Sequence, residues 1–353
     1  MNWEKNVRTV VPYVPGEQPK DQNVIKLNTN ECPYPPAPGV AAAAKEFHAD
    51  CLRLYPDADS TLLTESLATY YQVNKEQVFV GVGSDDVLAL AFLTFFHSKT
   101  PIFFPDVTYS FYDVWADLFR IPYEVKKLDN QYKIVVDDYL TENGGIIIAN
   151  PNAPTGVLET VENIEKIVKE NPDVVIIIDE AYVDFGGTSC LPLVEKYENL
   201  LIVQTFSKSR AMAGMRIGFA IGSKKIIKYL QDTKFSFNSY TMNATSLAIG
   251  VEAVKDETYF HEIVNKIIST RERTKRELAK LGFEFTDSMG NFIFATHSKF
   301  HAKDLFEACK INHIYVRYWN KPRIDNRLRI SIGTDEEMNA LIGFLKKYMM
   351  LEK

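Results

Sequence analysis

Two side chains of opposite charge follow apolar runs, at the points where strands of a sheet would end. Lys208 comes two residues after LLIVQTF, and Asp179 ends the run VVIIID. A lysine whose pKa is lowered can form a Schiff base with a carbonyl compound, although a Ser-Lys pair alone is more typical of an ordinary surface loop. The carboxylate needs a partner, either a metal ion or a protonated ring nitrogen. No cluster of histidines and cysteines accompanies Asp179, which disfavours the metal.

Donors suited to a phosphate surround this lysine in the sequence. Thr205, Ser207 and Arg216 supply two hydroxyls and a guanidinium within TFSKSRAMAGMR. Ser84 and Asp85 follow the glycines of GVGSDD, where we expect a helix to begin. Free backbone N–H groups at a helix N-terminus bind phosphate, although many such turns only cap the helix. The pattern is therefore consistent with a phosphate-bearing ligand beside the lysine.

One amide and two phenols also follow predicted strands. Asn152 lies in NPNAPTG, where the flanking prolines fix the loop and leave the amide free to reach a ligand. Tyr182 comes three residues after Asp179, and Tyr109 in DVTYSF could stack on an aromatic ring. Asparagine is common in simple turns, and most tyrosines pack in cores. None of the three identifies a function by itself.

Arginines cluster near the end of the sequence. Their planar forks bind carboxylates and phosphates through paired hydrogen bonds, which makes Arg317 in IYVRYW and Arg329 in LRISIGT candidates for an anion site. For Arg323 and Arg327 we expect ion pairs with Asp325 and nearby acids instead.

No metal site, membrane segment or nucleic-acid surface is predicted. His297 and His301 have the i, i+4 spacing of zinc ligands, but no third ligand is evident. The longest aliphatic run, 174–178, is far shorter than the ~20 apolar residues of a membrane span. The 353 residues carry a net charge of −6 and a pI near 5.7, whereas nucleic-acid binders usually have a basic domain.

The N-terminus and the cysteines bear on the cell compartment. The segment MNWEKNVRTV lacks the apolar core of a secretory signal. The cysteines form no C-x-x-C pair, which favours reduced thiols; they are Cys32, Cys51, Cys190 and Cys309. We therefore expect a cytoplasmic protein.

The predicted elements explain why the candidate side chains would meet. From about residue 61 strands and helices alternate, and GGIIIAN, VVIIIDE and LLIVQTF are continuous apolar runs, typical of strands covered on both faces. This alternation predicts an α/β fold with a doubly wound, mainly parallel sheet. Such sheets bind ligands at the carboxyl ends of their strands.

The sequence predicts an arm and two domains. Residues 1–40 contain several prolines, which forbid a long helix, and are expected to form an extended arm. Residues 41–246 are predicted as the large domain and residues 247–353 as a smaller α+β C-terminal domain. The boundary falls within a long helical pattern over 244–281.

The motifs, in their order, resemble those of the fold type I pyridoxal-phosphate enzymes, specifically the histidinol-phosphate aminotransferase family. The matching segments are LNTNECPYPP, RLYPD, GVGSDDVL, VTYSFY, NPNAPTG, IDEAYVDF, TFSKSRAMAGMRIGF, NFIF and LRISIGT. They follow one another in the family's order, and the resemblance extends over nearly the whole chain. Cys32 stands where the family usually has asparagine, Asp86 where it has glutamate, and Ala153 where it often has asparagine. None of these departures removes a side chain that the chemistry requires.

The resemblance implies a large domain with a seven-stranded sheet and a role for each candidate residue toward pyridoxal 5′-phosphate. Lys208 would hold the cofactor as an internal aldimine and then shuttle a proton. Asp179 would keep the pyridinium nitrogen protonated, so that the ring acts as an electron sink. Asn152 and Tyr182 would bond the phenolic oxygen, and Tyr109 would cover the ring. The phosphate would be bound by Ser84, Asp85, Thr205, Ser207, Arg216 and, from the other subunit of a homodimer, Tyr55.

The resemblance also implies the substrates. Histidinol phosphate carries a phosphate ester where glutamate, the second substrate, carries a carboxylate, and one arginine fork can accept either anion. Arg329, Arg317 and Tyr13 would form this site, with Asn152 also contacting substrate. The expected reaction moves an amino group between L-histidinol phosphate and 2-oxoglutarate in histidine biosynthesis.

Three alternatives remain open. One is an aminotransferase of the same fold that acts on aromatic amino acids. Another is an amino-acid-phosphate decarboxylase, which would keep the same lysine and aspartate. A third is a non-catalytic, cofactor-sensing regulator, which would need an attached DNA-binding domain; we expect no room for one before the arm.

Overall fold

The computed structural model describes residues 3–21 and 23–351. Its strands are β1 (Ile25–Lys26), β2 (Val78–Gly81), β3 (Ile102–Pro105), β4 (Tyr123–Lys126), β5 (Ile146–Ala149), β6 (Ile176–Asp179), β7 (Leu200–Thr205), β8 (Gly218–Gly222), β9 (Phe283–Phe285), β10 (Phe292–His297), β11 (Ile314–Tyr315), β12 (Arg317–Tyr318) and β13 (Leu328–Ser331). Its α-helices are α1 (Pro38–Glu46), α2 (Thr61–Tyr71), α3 (Gly83–Phe95), α4 (Tyr112–Phe119), α5 (Val161–Glu170), α6 (Lys224–Phe237), α7 (Ala244–Lys255), α8 (Glu257–Lys280), α9 (Ala302–Ile311) and α10 (Asp335–Leu351). Short 3₁₀ segments lie at Trp3–Asn6, Ala49–Arg53, Lys75–Gln77, Val136–Tyr139, Val183–Phe185, Leu191–Glu195 and Ala213–Met215.

A seven-stranded sheet forms the centre of the larger unit, in the order β2-β8-β7-β6-β5-β3-β4. Every pair is parallel except those that β8 makes with β2 and β7. The aliphatic runs of the sequence form β5, β6 and β7, which are buried along their whole length. Two apolar clusters cover the opposite faces of this sheet, which explains why these strands lack polar alternation. The predicted fold class is confirmed.

The register of the central strands brings the candidate residues to one edge. Ala149 of β5 pairs with Asp179 of β6, which in turn pairs with Val203 of β7. The three strands run in the same direction, so their carboxyl ends meet there. The segments that carry Asn152 and Lys208 begin at this edge.

A smaller unit is built around a four-stranded antiparallel sheet, in the order β12-β13-β10-β9. A separate apolar core lies under this sheet and joins residues of α8, α9 and α10. The parallel pair β1 and β11 connects the later part of the predicted arm, residues 1–40, to this unit. This connection carries residues 25–31 toward the edge of the large sheet.

The prediction of a single long helix over 244–281 is wrong. The helix is interrupted at Asp256, whose side chain accepts a hydrogen bond from the Tyr259 backbone N–H and caps a second helix. Helix α7 packs on α1 and α2 in the larger unit, whereas α8 belongs to the smaller core. The domain boundary at residue 247 stays a prediction.

Within the described ranges, no helix is long and apolar enough to span a membrane.

Candidate active site

Two adjoining cavities lie at the carboxyl edge of the large sheet. One, of about 340 Å³, reaches Asp179 and is lined by most of the residues expected to bind a cofactor. The other, of about 740 Å³, opens toward the smaller unit and is lined by Tyr13, Arg317 and Arg329 of the residues expected to bind substrate, but not by Asn152. Both are lined by Asp85, Tyr109, Tyr182, Lys208 and Arg216. Tyr182 and Lys208, two of the three residues predicted to be catalytic, therefore lie where the cavities meet, whereas the third, Asp179, lines only the smaller cavity.

The loop after β7 places Lys208 between the two cavities. Its Nζ donates to the Thr29 carbonyl oxygen at 3.1 Å and lies 5.8 Å from the centre of the Tyr182 ring. No ion pair involving this amine is present in the part of the chain that the structure describes. A backbone carbonyl is an exchangeable partner, so the amine can be released to a carbonyl group of a ligand.

Asp179 ends β6 as a buried carboxylate with two hydrogen bonds. One oxygen accepts from the Tyr112 hydroxyl at 2.9 Å, and the other accepts from the Ala181 backbone N–H at 3.1 Å. Burial raises the pKa of Asp179 to about 6, and the two donors oppose that rise. A positively charged group in the smaller cavity would favour the ionised carboxylate further.

The next residue, Glu180, is a buried acid that the sequence analysis did not single out. It accepts hydrogen bonds from the Ser189 hydroxyl at 2.6 Å, the Cys190 backbone N–H at 2.6 Å and the Gln204 side-chain amide at 2.9 Å. These contacts join the ends of β6 and β7 behind the site. Burial raises the pKa of Glu180 to about 7.

This acid makes a testable contribution to the pH dependence of folding. The unfolded chain releases the Glu180 proton at its ordinary, lower pKa, so the stability that neutral Glu180 supplies is complete below about pH 4.5 and is lost as the pH rises toward about 7. We expect Glu180→Gln to remove this slope, of up to about 1 kcal/mol per pH unit. Urea unfolding of the unliganded proteins between pH 4.5 and 7.5 measures it. If the free energy of unfolding changed with pH in the same way in both proteins, Glu180 would not be the source of the slope.

The phosphate donors expected from sequence assemble at the start of α3. Ser84 and Asp85 lie in its first turn, where backbone N–H groups have no partner within the helix. Gly83 has φ +82°, and a Cβ there would lie 2.5 Å from Nη2 of Arg216. A Cβ on Gly218 would lie 2.2 Å from the Ser84 nitrogen. Glycine at both positions therefore lets β8 and the guanidinium approach the helix end.

Side-chain hydrogen bonds link the rest of this group. Nη2 of Arg216 donates to Asp85 at 2.9 Å, and Nη1 contacts the Ser207 hydroxyl at 3.4 Å. The Thr205 hydroxyl donates to Ser207 at 3.0 Å. Two hydroxyls, one guanidinium and a helix N-terminus thus face one cavity, a donor set suited to a phosphate dianion.

Asn152 is the clearest departure from expectation, because its amide is not free. The nitrogen donates to the Val107 carbonyl at 2.9 Å and to the Thr155 hydroxyl at 3.0 Å, while the oxygen accepts from the Thr108 hydroxyl at 2.9 Å. The Asn150–Pro151 and Ala153–Pro154 peptide bonds in this loop are cis. A ligand that accepts a hydrogen bond from the Asn152 nitrogen would have to replace one of that nitrogen's two contacts.

The two phenols that follow the strands are held in different ways. Tyr182 accepts a hydrogen bond from the Asn30 amide at 3.0 Å. Tyr109 donates to Asp85 at 2.8 Å, and its ring lines both cavities. Burial raises the pKa of Tyr109 well above its ordinary value, so this phenol stays protonated.

Strands β12 and β13 bring the two candidate arginines together. Arg317 and Arg329 are direct partners in the antiparallel register, and both guanidiniums lie 5.2 Å from the Trp319 ring centre. Arg329 donates to the Asn28 carbonyl at 2.8 Å, and its buried Nε has no hydrogen-bond partner among the described residues. Two adjacent cations, one of them with an unpartnered donor, are suited to binding an anion.

Tyr13 in the N-terminal arm covers this site. Its ring stacks on Phe111, with centroids 4.1 Å apart. Arg317 donates to the Val14 carbonyl at 3.0 Å and to the Pro15 carbonyl at 3.3 Å. The arm is therefore attached to one of the arginines that it covers.

Arg323 and Arg327 make structural contacts, as expected, but neither contact is with Asp325. Arg323 pairs with Asp106 at 2.6 Å rather than with Asp325, and Arg327 donates to the Tyr132 hydroxyl at 3.1 Å. These contacts hold the smaller unit against the segments that follow β3 and β4.

The two histidines considered as zinc ligands bind the backbone. Nδ1 of His297 accepts from the Lys299 N–H at 3.0 Å, and His301 caps α9 by accepting from the Lys303 N–H. Residues 3–21 and 23–351 contain no group of three or more side chains that could hold a metal ion.

Tyr55 lies outside the cavities of its own chain. It is 82% exposed and stacks on Tyr240, with centroids 4.6 Å apart. A role at the phosphate therefore requires a second chain.

Besides Glu180 and Thr29, three residues at or next to the site were missed from sequence. Tyr112 follows Tyr109 by three positions, a spacing that suits a helical face but does not identify Asp179 as a partner. Asn30 lies in the segment LNTNECPYPP, whose individual side chains carry no distinct signal. Trp319 could have been found from the nearby arginines in the sequence, since cations bind the faces of tryptophan rings.

Comparison with known proteins shows the family to which this chain belongs. The model of the family "Aminotransferase class I and II" matches residues 22–345. Histidinol-phosphate aminotransferase from Lactococcus lactis subsp. cremoris (strain MG1363) is 52% identical over 349 residues, which cover 99% of this chain and 98% of the relative.

Solved structures show the same fold. The histidinol-phosphate aminotransferase from Clostridium acetobutylicum superimposes with a TM-score of 0.84 at 24% identity, over 92% of this chain and 98% of the other. The enzyme of that name from Sinorhizobium meliloti, in complex with pyridoxal-5′-phosphate, gives a TM-score of 0.82 at 20% identity, over 92% and 91% of the two chains.

Proposed function

This chain belongs to the class I and II aminotransferases and, within them, to the histidinol-phosphate aminotransferase family, and on that premise we propose that it moves an amino group between L-histidinol phosphate and 2-oxoglutarate in histidine biosynthesis. One observation carries the proposal. The Lys208 amine lies where a cavity with a phosphate donor set and a buried acid meets a second cavity with two arginines. Such a site suits an anionic cofactor and an anionic substrate at once.

The described residues fit pyridoxal 5′-phosphate. Its phosphate would be bound by the first turn of α3 and by Thr205, Ser207 and Arg216, while Asp179 would face the ring nitrogen. Tyr109 would lie against the ring, and Tyr182 would bond the phenolic oxygen together with Asn152 once that amide gives up one of its present contacts. When bound, the cofactor supplies an electron sink that stabilises negative charge on the substrate carbon.

The protein's own groups would orient the substrate and move the proton. Lys208 Nζ would hold the cofactor, be released by the incoming amine and then transfer the proton at the substrate carbon. Arg329 and Arg317 would bind the phosphate of histidinol phosphate, or a carboxylate of glutamate, in the same place. Tyr13 would close over that anion and exclude water.

The same proposal includes a homodimer in the cytoplasm. Tyr55 is exposed and does not line the cavities of its own chain, so it would contribute to the phosphate site of a partner. The four cysteines are free thiols in the structure, which fits a reducing compartment. The division at residues 41–246 and 247–353 remains part of this proposal.

A substrate panel tests the reaction. Purified protein with pyridoxal 5′-phosphate receives histidinol phosphate, histidinol, phenylalanine or threonine phosphate, each with 2-oxoglutarate. We expect glutamate to form fastest with histidinol phosphate, because histidinol and phenylalanine lack the phosphate ester that the arginines would bind, and threonine phosphate carries an additional carboxylate on the carbon that bears its amine. Equal rates with phenylalanine would favour the aromatic aminotransferase, and release of carbon dioxide would favour the decarboxylase.

A further inference from the structure

We propose that Tyr112 is a positioning residue for Asp179. The buried hydroxyl of Tyr112 would keep the Asp179 carboxylate ionised and oriented toward the ring nitrogen of the cofactor. This inference rests on the proposed function, because it concerns the acid that would face that nitrogen. Tyr112 lines neither cavity and would act only through Asp179.

The Tyr112 hydroxyl is fixed by its surroundings. The side chain is fully buried at the start of α4. Its ring centroid lies 5.7 Å from that of Tyr109 and 6.0 Å from that of Phe104, and both contacts are edge-to-face. A ring packed on two sides cannot swing away, so the hydroxyl has a fixed direction toward Asp179, to which it donates at 2.9 Å.

This hydroxyl is one of two donors that oppose the cost of burying the Asp179 charge. Desolvation is the largest influence on Asp179 and raises its pKa, whereas the hydrogen bonds from Tyr112 and from the Ala181 backbone lower it. Among the charged groups that face Asp179, Asp85 raises the pKa and Lys208 lowers it. If the Tyr112 donor were removed, the acid would become neutral at a higher pH, because only one hydrogen bond would then stabilise its charge.

The donor itself does not titrate in the working range. Burial raises the pKa of Tyr112 well above its ordinary value, and the neighbouring Asp179, Tyr109 and Tyr182 raise it further. The hydroxyl therefore keeps its proton and can only donate to the carboxylate.

Tyr112→Phe removes one oxygen atom and leaves the packed ring in place. We expect the dissociation constant of pyridoxal 5′-phosphate for the cofactor-free protein to rise about tenfold, since a hydrogen bond to a charged group is worth roughly that factor. We also expect affinity to be lost at a higher pH on acidification than in the wild type. Absorbance titration of the apoprotein across a pH series measures both quantities.

Tyr139→Phe is the matched control. Tyr139 is also a buried tyrosine, but its hydroxyl has no hydrogen-bond partner among the described residues and lies outside both cavities. Its cofactor affinity and pH midpoint should equal those of the wild type. Thermal melting of both variants separates a loss of packing from a loss of cofactor binding.

A double-mutant cycle with Asp179→Asn completes the test. Because Tyr112 acts through the carboxylate, Tyr112→Phe should weaken cofactor binding in the wild type and have little further effect in the Asp179→Asn protein. A wild-type dissociation constant and pH midpoint in Tyr112→Phe, or an equal loss in both backgrounds, would overturn the inference. A wild-type protein that binds no cofactor at all would instead overturn the proposed function.

Discussion

Replacing Lys208 by alanine is expected to abolish measurable transamination while leaving the protein folded. The side chain has only one hydrogen bond in the described structure, to the Thr29 carbonyl, so its loss removes little stabilising contact. Its amine is the group assigned to holding the cofactor and moving the proton. Loss of a positioned proton-transfer group alone costs about 10²–10⁴-fold in rate, and loss of the cofactor linkage adds to this.

Two further variants and one chemical label make this prediction specific. Lys208→Arg keeps the positive charge but lacks the reactive amine, and we expect it to be as inactive as the alanine variant. Lys196→Ala removes an exposed lysine paired with Glu165 and should retain full activity. Borohydride reduction of the wild-type protein with its cofactor, followed by peptide mapping, should label residue 208. A label at another lysine, or an active Lys208→Ala protein, would remove Lys208 from the centre of the reaction.

Replacing Arg329 by alanine is expected to weaken the use of both substrates. Its buried guanidinium lines the larger cavity and has an unpartnered Nε among the described residues. Removing one member of a buried, hydrogen-bonded charge pair costs roughly 2–5 kcal/mol, or about 30- to 4,000-fold in kcat/KM. Because one fork would serve both anions, KM should rise for histidinol phosphate and for glutamate alike.

Controls for this variant come from the same region of the chain. Arg327→Ala removes a guanidinium two positions away that bonds Tyr132 and does not line the cavity, so steady-state KM values should not change. Arg329→Lys retains a charge without the planar fork and should fall between wild type and alanine. Unchanged KM values for both substrates in Arg329→Ala would place the anion site elsewhere.

The sequence predicted the fold class well because the signal is local. Continuous aliphatic runs such as 174–178 have no polar face to leave in water, so they must be central strands covered on both sides. Helix ends were predicted less well. The apolar residues over 244–281 keep a helical spacing through Asp256. Only the capping hydrogen bond of the Asp256 side chain shows that one helix ends there and another begins.

The side-chain contacts of the site were beyond prediction from sequence. Asn152 was expected to offer a free amide. In the structure its side-chain nitrogen already donates to Val107 and Thr155, and its side-chain oxygen accepts from Thr108. Asp179 was expected to need a partner, but nothing in the sequence pointed to Tyr112, which is 67 positions away.

By itself the sequence determined which residues follow each strand, and therefore which side chains meet at one edge of the sheet. A parallel sheet makes this inevitable, because its strands all end on the same side. Only the tertiary structure decided how those side chains are held: the Tyr112 donor on Asp179, the carbonyl of Thr29 on Lys208, and the pairing of Arg317 with Arg329 across β12 and β13. Hydrophobic periodicity specifies the faces of elements, whereas hydrogen-bond partners depend on how distant segments pack, and local patterns carry no information about that.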